Sequence, residues 1–430
     1  MDIKHKAIHG VKWTAISSAV LASSSLFKLS VLTRYLEKSD FGLMAIVTFI
    51  LTFFTLTLDM GLPSAILHKQ KISNDEYASL YWLNFLISIA LYFLAIAITP
   101  SISIFYKEKE LLTILPLMGL SFIISAFGKQ FRIIEQKKLN FKFISITEII
   151  SSLFSLLISI LLAMKGYGVY SLVYSALALI AVSNLFFLIN GVITNGLKLH
   201  FSFRETKPFF RIGLFNFGGQ IINYLNRDLD ILIIGKFFGT EILGGYSLAK
   251  QLVFRPTQLI NPILTKVSIP TLAKYQKNLQ QLKDNYLKLV NIVATINIPI
   301  YMFIILFASP IVRIVYGPGF DNIVILVRIL SVYMIFIALR NPIGSLIVAT
   351  GRTDKEFFWF LITSPITFLI ILLSCQFSIA FVAIALSLNM AILFYPHWFF
   401  LIQKMIHVKF IDYLIACIPN FKNTLNFIRK

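Results

Sequence analysis

The sequence predicts an all-α integral membrane protein of about 12 transmembrane helices, arranged as two parallel six-helix repeats around a central cleft. Three observations support this fold class. Of the 430 residues, 57% are apolar, 13% are charged and 41 are phenylalanine, which is more apolar surface than a water-soluble protein of this length can bury. Twelve stretches are long and apolar enough to cross the roughly 30 Å of a bilayer core. Short motifs also recur about 200 residues apart.

The apolar stretches fall into two sets of six. The first set occupies residues 11–33, 42–59, 80–99, 112–127, 143–164 and 168–190. The second set occupies residues 209–235, 242–264, 287–309, 323–349, 356–375 and 377–402. Because each set has an even number of spans, both sets have the same orientation, and we expect them to be parallel repeats about an axis along the membrane normal.

The clearest repeated motif is PSISIFY at Pro100–Tyr106, which matches PIVRIVY at Pro310–Tyr316 at an offset of 210 residues. In both copies a hydrophobic span leads into a short turn. Two weaker pairs have offsets of 202 and 214, namely 34–43 with 236–245 and 136–143 with 350–357. Slowly drifting offsets are typical of a tandem copy with small insertions.

The repeats divide the chain into four predicted parts. These are an N-terminal six-helix lobe at 1–195, a cytoplasmic inter-lobe linker at 196–208, a C-terminal six-helix lobe at 209–406 and a basic cytoplasmic interfacial tail at 407–430. The tail has too few apolar residues before Pro419 to cross a bilayer.

The positive charge of the chain has a distribution typical of membrane topology. The formal net charge is +20, and 27 of the 39 Lys and Arg lie in alternate loops that begin with residues 1–12, whereas the intervening loops hold 7. This asymmetry follows the positive-inside rule, so we expect both termini in the cytoplasm. It also accounts for the charge without a nucleic-acid partner.

The seventh span carries an ordered row of polar residues. Asn216, Gln220, Asn223, Arg227 and Asp230 are spaced by steps of four, three, four and three, so they share one helix face over roughly 21 Å. An ionisable group at the bilayer centre costs at least about 2.5 kcal/mol, so this face needs water or partners. A hydrated cleft between the lobes would meet that need. Hydrogen bonds between helices, or an Arg227–Asp230 pair, are the alternatives.

Basic residues continue this row into a predicted head-group site. Arg211, Arg227, Lys250 and Arg255 could form a cationic path for an anionic head group, because guanidinium groups match the geometry of phosphate. The neutral residues Asn216, Gln220 and Asn223 would complete the site.

Four further residues are candidates for ion coupling or gating. With the repeat offset of 202, Lys28 is equivalent to Asp230, and these two side chains could form an ion pair across the lobes that opens and closes. Alternatively, Lys28 could extend to the membrane surface. Asp228, Asp230 and Glu148 could carry protons or sodium ions, or could pair with nearby lysines.

No catalytic or metal site is predicted. Asp228-Leu-Asp230 resembles a metal-binding DxD motif, but it lies within an apolar span rather than in a loop. The histidines are not clustered, and the chain has no phosphate-binding Gly-rich loop and no nucleophile beside a base. We therefore expect a protein that is not an enzyme and needs no cofactor.

Five stretches together resemble a known family of transporters, the Wzx-type flippases of the O-antigen and colanic acid kind. This family is the polysaccharide transporter branch of the multidrug, oligosaccharidyl-lipid and polysaccharide exporter superfamily. The stretches are LEKSDFG at 36–42, DMGLPSAI at 59–66, YWLN at 81–84, GYGVYSL at 166–172 and the long run at 226–252.

The resemblance implies a function and a location. Such a protein moves an undecaprenyl-pyrophosphate-linked oligosaccharide from the inner to the outer leaflet of the bacterial inner membrane by alternating access. Its product feeds surface polysaccharide synthesis, and a polysaccharide polymerase and chain-length machinery are candidate partners. A cation-coupled multidrug exporter of the same superfamily is the first alternative, although it would display acids rather than bases in its cleft. A membrane glycan polymerase is the second, but it needs a large external loop.

Overall fold

The chain is helical, with no β-strand in the residues that the structure describes. The computed structural model describes residues 3–421 apart from 60–65, 68, 70 and 71, and it describes only the backbone of residues 3–8, 59, 208, 210–217, 262, 263, 266 and 267. Its residues form two compact units. Unit 1 comprises Met1–Tyr224 and Gly239–Gly244, and unit 2 comprises Leu225–Phe238 and Gly245–Lys430.

In the part of the chain that the structure describes, six long helices precede residue 200, and all of them belong to unit 1. They are α1 (Ile3–Leu32), α2 (Lys38–Asp59), α3 (Asn74–Tyr106), α4 (Leu111–Lys137), α5 (Phe141–Met164) and α6 (Val169–Asn195). Helix α5 packs between α1 and α6, and α4 packs between α6 and α3. The start of α3 is fixed by a capping box, in which the Ser73 hydroxyl accepts from the Glu76 amide and the Glu76 carboxylate accepts from the Ser73 amide.

Two glycines allow α4 and α6 to pack closely. A Cβ atom at Gly128 would lie 2.4 Å from the carbonyl oxygen of Asn184, and one at Gly191 would lie 2.1 Å from the ring of Phe131. Neither position leaves room for a larger side chain. Small residues at these crossings are what helices in a bilayer use to gain close packing.

Helix α7 (Phe203–Lys274) is a pair of helices joined at a break. Gly239 has φ 77° and ψ 178°, a conformation that only glycine adopts readily, and the helical geometry stops and restarts there. The break lies between the predicted spans at 209–235 and 242–264. Residues 239–244 at the break belong to unit 1, where a Cβ on Gly244 would overlap the carbonyl oxygen of Lys38.

Unit 2 is built from the remaining helices. These are α8 (Leu279–Leu306), α9 (Ala308–Tyr316), α10 (Val324–Arg340), α11 (Pro342–Thr350), α12 (Thr353–Ser374), α13 (Ile379–Ile392), α14 (Phe394–His397), α15 (Lys404–Ile406) and α16 (Phe410–Ala416), with a 3₁₀ turn at Asp321–Ile323 and a π-helical segment at Trp398–Gln403. Helix α10 is central, because it packs against both α8 and α13.

The two copies of the repeated motif end their helices in the same way. Tyr106 is the last residue of α3 and Tyr316 is the last residue of α9. The residue that follows has positive φ in both cases, 61° at Lys107 and 82° at Gly317. The turn predicted after each copy is therefore confirmed.

The described residues contain eleven helical segments that are long and apolar enough to cross a membrane. Each of the twelve predicted spans overlaps one of them, because the 44-residue segment Gly218–Asn261 contains the break at Gly239 and covers two spans. The predicted class, an all-α multi-pass membrane protein, is confirmed. The boundaries of the predicted lobes and linker stay a prediction.

The first part of the predicted tail packs into unit 2. Tyr413 on α16 is fully buried and its hydroxyl donates to the carbonyl of Leu339 at 3.2 Å. Asn291 on α8 donates to the carbonyls of Ala416 and Ile418. These contacts attach the segment to α8 and α10. Residues 422–430 lie outside the described part of the chain.

Candidate functional site

Five residues from the two halves of α7 form a charged cluster inside unit 2. Arg227, Asp228 and Asp230 precede the break at Gly239, and Tyr246 and Lys250 follow it. The Lys250 ammonium lies 2.7 and 2.9 Å from the two carboxylate oxygens of Asp230 and 3.2 Å from Asp228 Oδ1. We refer to these five residues as the charge cluster.

The inner part of the charge cluster is buried and fully hydrogen-bonded. Exposed fractions are 7% for Lys250, 5% for Asp230 and 0% for Tyr246. Lys250 also donates to the carbonyl of Arg227 at 2.6 Å, so its three N–H groups have acceptors on every side. Asp230 accepts from the Tyr246 hydroxyl and from the Ile231 amide. Both buried charges are thus compensated.

The outer part of the charge cluster is accessible. Arg227 donates through Nε to Asp228 Oδ2 at 2.8 Å, and its side chain is 58% exposed, whereas that of Asp228 is 16% exposed. The four charges therefore alternate in sign from the exposed Arg227 guanidinium to the buried Asp230 carboxylate, and their sum is zero. Charged groups inside a membrane-embedded helical unit are costly and mark a functional site by default.

The other predicted head-group residues are placed as follows. Gln220 and Asn223 are exposed on the first half of α7, in unit 1, and Arg255 is half-buried on the second half, in unit 2. The side chains of Arg211 and Asn216 lie outside the described part of the structure. Of the predicted cationic path, the structure thus joins Arg227 and Lys250 through Asp228.

Lys28 and Glu148, the two predicted coupling residues of unit 1, have partners within that unit. The Lys28 ammonium donates to the hydroxyls of Ser175 at 2.7 Å and Ser155 at 3.2 Å. Glu148 on α5 accepts from Arg132 on α4 at 2.7 Å. Asp230 has its partners in unit 2. The pairing of Lys28 with Asp230 thus stays a prediction about another conformation.

Sequence reasoning missed Tyr246, although a signal for it was present. Tyr246 and Lys250 are four residues apart and so share a helix face. Asp230 and Lys250 are separated from the break at Gly239 by nine and eleven residues, so two antiparallel helices joined there bring them together. The sequence shows both the position of Gly239 between the two predicted spans and the number of residues that separate it from Asp230 and Lys250.

A second polar group lies at the start of α7, before its membrane-spanning segment. The Glu205 carboxylate accepts from the Ser79 hydroxyl at 2.5 Å and contacts His200 Nε2 at 3.1 Å. These two hydrogen bonds, the Ser79 bond first, lower the pKa of Glu205 below its ordinary value. In the described residues, no three His, Cys, Asp or Glu side chains are grouped so that they could hold a metal ion.

Comparison with known proteins gives both sequence and fold relatives. The family model described as polysaccharide biosynthesis protein matches residues 31–325. The chain is 29% identical to the lipopolysaccharide biosynthesis protein WzxC of Escherichia coli strain K12 over 357 residues, covering 83% of this chain and 73% of the relative. It is 28% identical to the teichuronic acid biosynthesis protein TuaB of Bacillus subtilis strain 168, with coverage of 83% and 74%.

Solved structures share the fold. The lipid II flippase MurJ, in an inward closed conformation, matches with a TM-score of 0.72 at 17% identity, covering 97% of this chain and 91% of MurJ. An inward-facing multidrug resistance transporter of the MATE family matches with a TM-score of 0.69 at 14% identity, covering 91% and 98%. At these identities the matches establish the fold alone.

Proposed function

The chain belongs to the polysaccharide biosynthesis protein family, and from this premise we propose that it is a flippase for an undecaprenyl-pyrophosphate-linked oligosaccharide. It would move this lipid from the inner to the outer leaflet by alternating access, for surface polysaccharide synthesis. Two relatives named above act in lipopolysaccharide and teichuronic acid biosynthesis, and MurJ, which shares the fold, is a flippase for lipid II. The proposal makes the protein a transporter rather than an enzyme.

The observation that carries the proposal is the charge cluster. A pyrophosphate with attached sugars cannot cross hydrocarbon unaided, because moving its charges out of water is too costly. Arg227 offers a guanidinium with a 58% exposed side chain, which pairs with the Asp228 carboxylate at the edge of the cluster. An incoming phosphate could replace Asp228 as the partner of Arg227, since both are anions with oxygen acceptors in suitable geometry.

The remaining cluster residues would respond to this exchange. Lys250 already contacts both Asp228 and Asp230, so it would remain the partner of Asp228 after Asp228 separates from Arg227. Lys250 would thus affect head-group binding indirectly, through Asp228. Gln220, Asn223 and Arg255 are proposed as further head-group contacts, together with Arg211 and Asn216. Asp228, Asp230, Glu148 and Lys28 remain our candidates for ion coupling or gating.

The membrane potential supplies part of the driving force. With the cell interior negative, outward movement of an anion is favoured by roughly 2.3 kcal/mol per charge per 100 mV. We place the protein in the bacterial inner membrane with both termini in the cytoplasm, as the distribution of Lys and Arg indicates. A polysaccharide polymerase and chain-length machinery are the proposed partners.

The test uses the native host without its own copy of the gene, complemented with variants. In cells with Arg227→Ala, complete lipid-linked repeat units should accumulate on the cytoplasmic face and surface polysaccharide should be lost, at a normal level of the protein in the membrane. Arg313→Ala is the matched control, because Arg313 is an exposed arginine of the same unit that pairs with Asp321 at 3.1 Å. It should export normally.

Other outcomes would overturn the proposal or part of it. Normal export by Arg227→Ala would remove Arg227 from the head-group site. Units that reach the outer face without polymerising in the deletion strain would indicate a polymerase. Unchanged amounts and sidedness of lipid-linked units in the deletion strain would indicate a multidrug exporter.

A further inference from the structure

A second group of polar side chains in unit 2 lacks hydrogen-bond partners. The Nε atom of Arg340, the Nε1 atom of Trp359 and the Nδ1 atom of His397 are all buried, and none has a partner among the described residues. Trp359 is 7% exposed and His397 is 2% exposed. The large majority of buried side-chain polar atoms in proteins are hydrogen-bonded, so three unpartnered nitrogens in one place need an explanation.

These three side chains are neighbours, and we refer to them as the donor group. The Arg340 guanidinium carbon lies 5.7 Å from the centre of the Trp359 ring, and the Trp359 and His397 ring centres are 5.4 Å apart. They come from three separate helices, namely the last turn of α10, the first half of α12 and the end of α14. Trp359 is thus a neighbour of both Arg340 and His397.

The three unpartnered nitrogens are mainly hydrogen-bond donors. Arg Nε and Trp Nε1 carry hydrogen and can only donate, and His Nδ1 donates in the tautomer that holds its proton there. Arg340 and Trp359, and His397 in that tautomer, therefore lack an acceptor. No acidic side chain of the described residues forms a salt bridge with Arg340, whose one hydrogen bond runs from Nη1 to the weak acceptor Met390 Sδ at 2.9 Å.

The positive charge of Arg340 indicates which kind of acceptor would fit. Arg340 is partly buried beside a largely apolar core, and a guanidinium that stays protonated there is stabilised by a negative charge that offsets its desolvation. The surroundings supply aromatic rings instead, among them Phe394 and Tyr413 of the same hydrophobic cluster. We propose that Arg340, Trp359 and His397 bind an anion, which ties together helices α10, α12 and α14.

Two sources of this anion share the same chemistry. One is a free halide such as chloride. The other is a phosphate oxygen of a phospholipid in the inner leaflet, since Arg340 begins residues 340–355, one of the Lys- and Arg-bearing segments that the sequence predicts to face the cytoplasm. Both present a compact negative acceptor to converging N–H donors. This site shares no residue with the charge cluster and does not depend on the flippase proposal.

The experiment measures thermal unfolding of the purified full-length protein in detergent. Replacing gluconate by chloride at constant ionic strength should raise the unfolding midpoint by a few degrees, because ligand binding stabilises the folded state. Arg340→Gln should abolish this rise. Trp359→Phe keeps an aromatic ring and loses only the Nε1 donor, so it should need several-fold more chloride for the same rise.

A second arm distinguishes the two sources. In gluconate, mixed micelles containing phosphatidylglycerol are compared with micelles containing a phosphate-free galactolipid. Stabilisation by phosphatidylglycerol alone, lost in Arg340→Gln, would assign the site to a lipid phosphate. Arg313→Gln is the control for nonspecific effects of charge, and it should respond as the wild type does.

The proposal is overturned if neither anion source shifts the wild-type midpoint, or if Arg340→Gln and Arg313→Gln respond alike. Either result would show that the three donors do not hold an anion. Should Arg340→Gln fail to fold, Trp359→Phe gives the same answer through its chloride dependence.

Discussion

Lys28 in unit 1 and Lys250 in unit 2 are both lysines placed within membrane-spanning helices, but their partners differ in charge. Lys250 contacts the carboxylates of Asp228 and Asp230 and a backbone carbonyl. Lys28 donates to the hydroxyls of Ser155 and Ser175, and among the described residues it has no salt bridge to a carboxylate. The charge of the Lys250 ammonium is thus neutralised by carboxylates, whereas the Lys28 ammonium is held in place by hydroxyls that leave its charge in place.

The difference indicates which lysine is available to a substrate. The carboxylates of two aspartates neutralise the charge of Lys250, so an anion that approached Lys250 would compete with both of them. Serine hydroxyls leave the charge of Lys28 unbalanced, since a hydroxyl contributes a dipole but no net charge. We therefore infer that Lys250 has a mainly structural part in unit 2 and that Lys28 can attract an anionic group. The direct head-group contact that the sequence predicts for Lys250 stays a prediction.

The largest expected effect is the loss of Lys250. Lys250→Met removes the partner of two carboxylates, one of which is buried, and breaking a buried pair in this way costs about 3–5 kcal/mol. We expect a much lower unfolding temperature and a low yield of protein in the membrane. Thermal unfolding of the purified variant in detergent measures the change.

The double variant Lys250→Met with Asp230→Asn sharpens this test. It removes both buried charges together, and Asp228 keeps Arg227 as its partner. Most of the lost stability should return, because replacing a buried pair is far less costly than breaking it. A single Lys250→Met variant as stable as the wild type would contradict the view that the aspartates use the charge of Lys250.

The pair on α7 was more predictable from the sequence than the environment of Lys28. The periodicity of the polar residues and the turn at Gly239 locate Asp230 and Lys250 on facing helices, because both lie at similar distances from one turn. The partners of Lys28 lie on α5 and α6, more than 120 residues away along the chain. Helix packing at that distance depends on side-chain fit, which a single sequence does not reveal.

A smaller effect is expected from Tyr246→Phe. The Tyr246 hydroxyl donates to Asp230, and a hydrogen bond to a charged acceptor contributes about 1.5–3 kcal/mol. Asp230 keeps Lys250 and the Ile231 amide as donors, so the cost should fall at the lower end of that range. Thermal unfolding of the purified variant tests this.

Tyr224→Phe is a matched control for the lost hydroxyl. Tyr224 is a buried tyrosine of unit 1, and its hydroxyl donates to the neutral carbonyl of Phe49 at 2.7 Å. Its loss should cost less, because a bond between neutral groups contributes about 0.5–1.5 kcal/mol. Equal losses in the two variants would mean that the charge of Asp230 adds nothing to its bond with Tyr246.

The smallest effect on stability, and the sharpest test of the comparison, is expected from Lys28→Met. Ser155 and Ser175 keep their own acceptors, the carbonyls of Ser175 and Leu172, when the ammonium is removed. The variant no longer has to bury the Lys28 charge, and this gain should offset the two lost hydrogen bonds. The free energy of unfolding should therefore change by no more than about 1 kcal/mol. If Lys28 attracts an anionic head group, export should nevertheless fall strongly, and Lys28→Arg should restore part of it. A stable Lys28→Met protein that exports normally would show that the unbalanced charge has no part in transport. A severe loss of stability would instead show that the serines bind Lys28 as tightly as the aspartates bind Lys250.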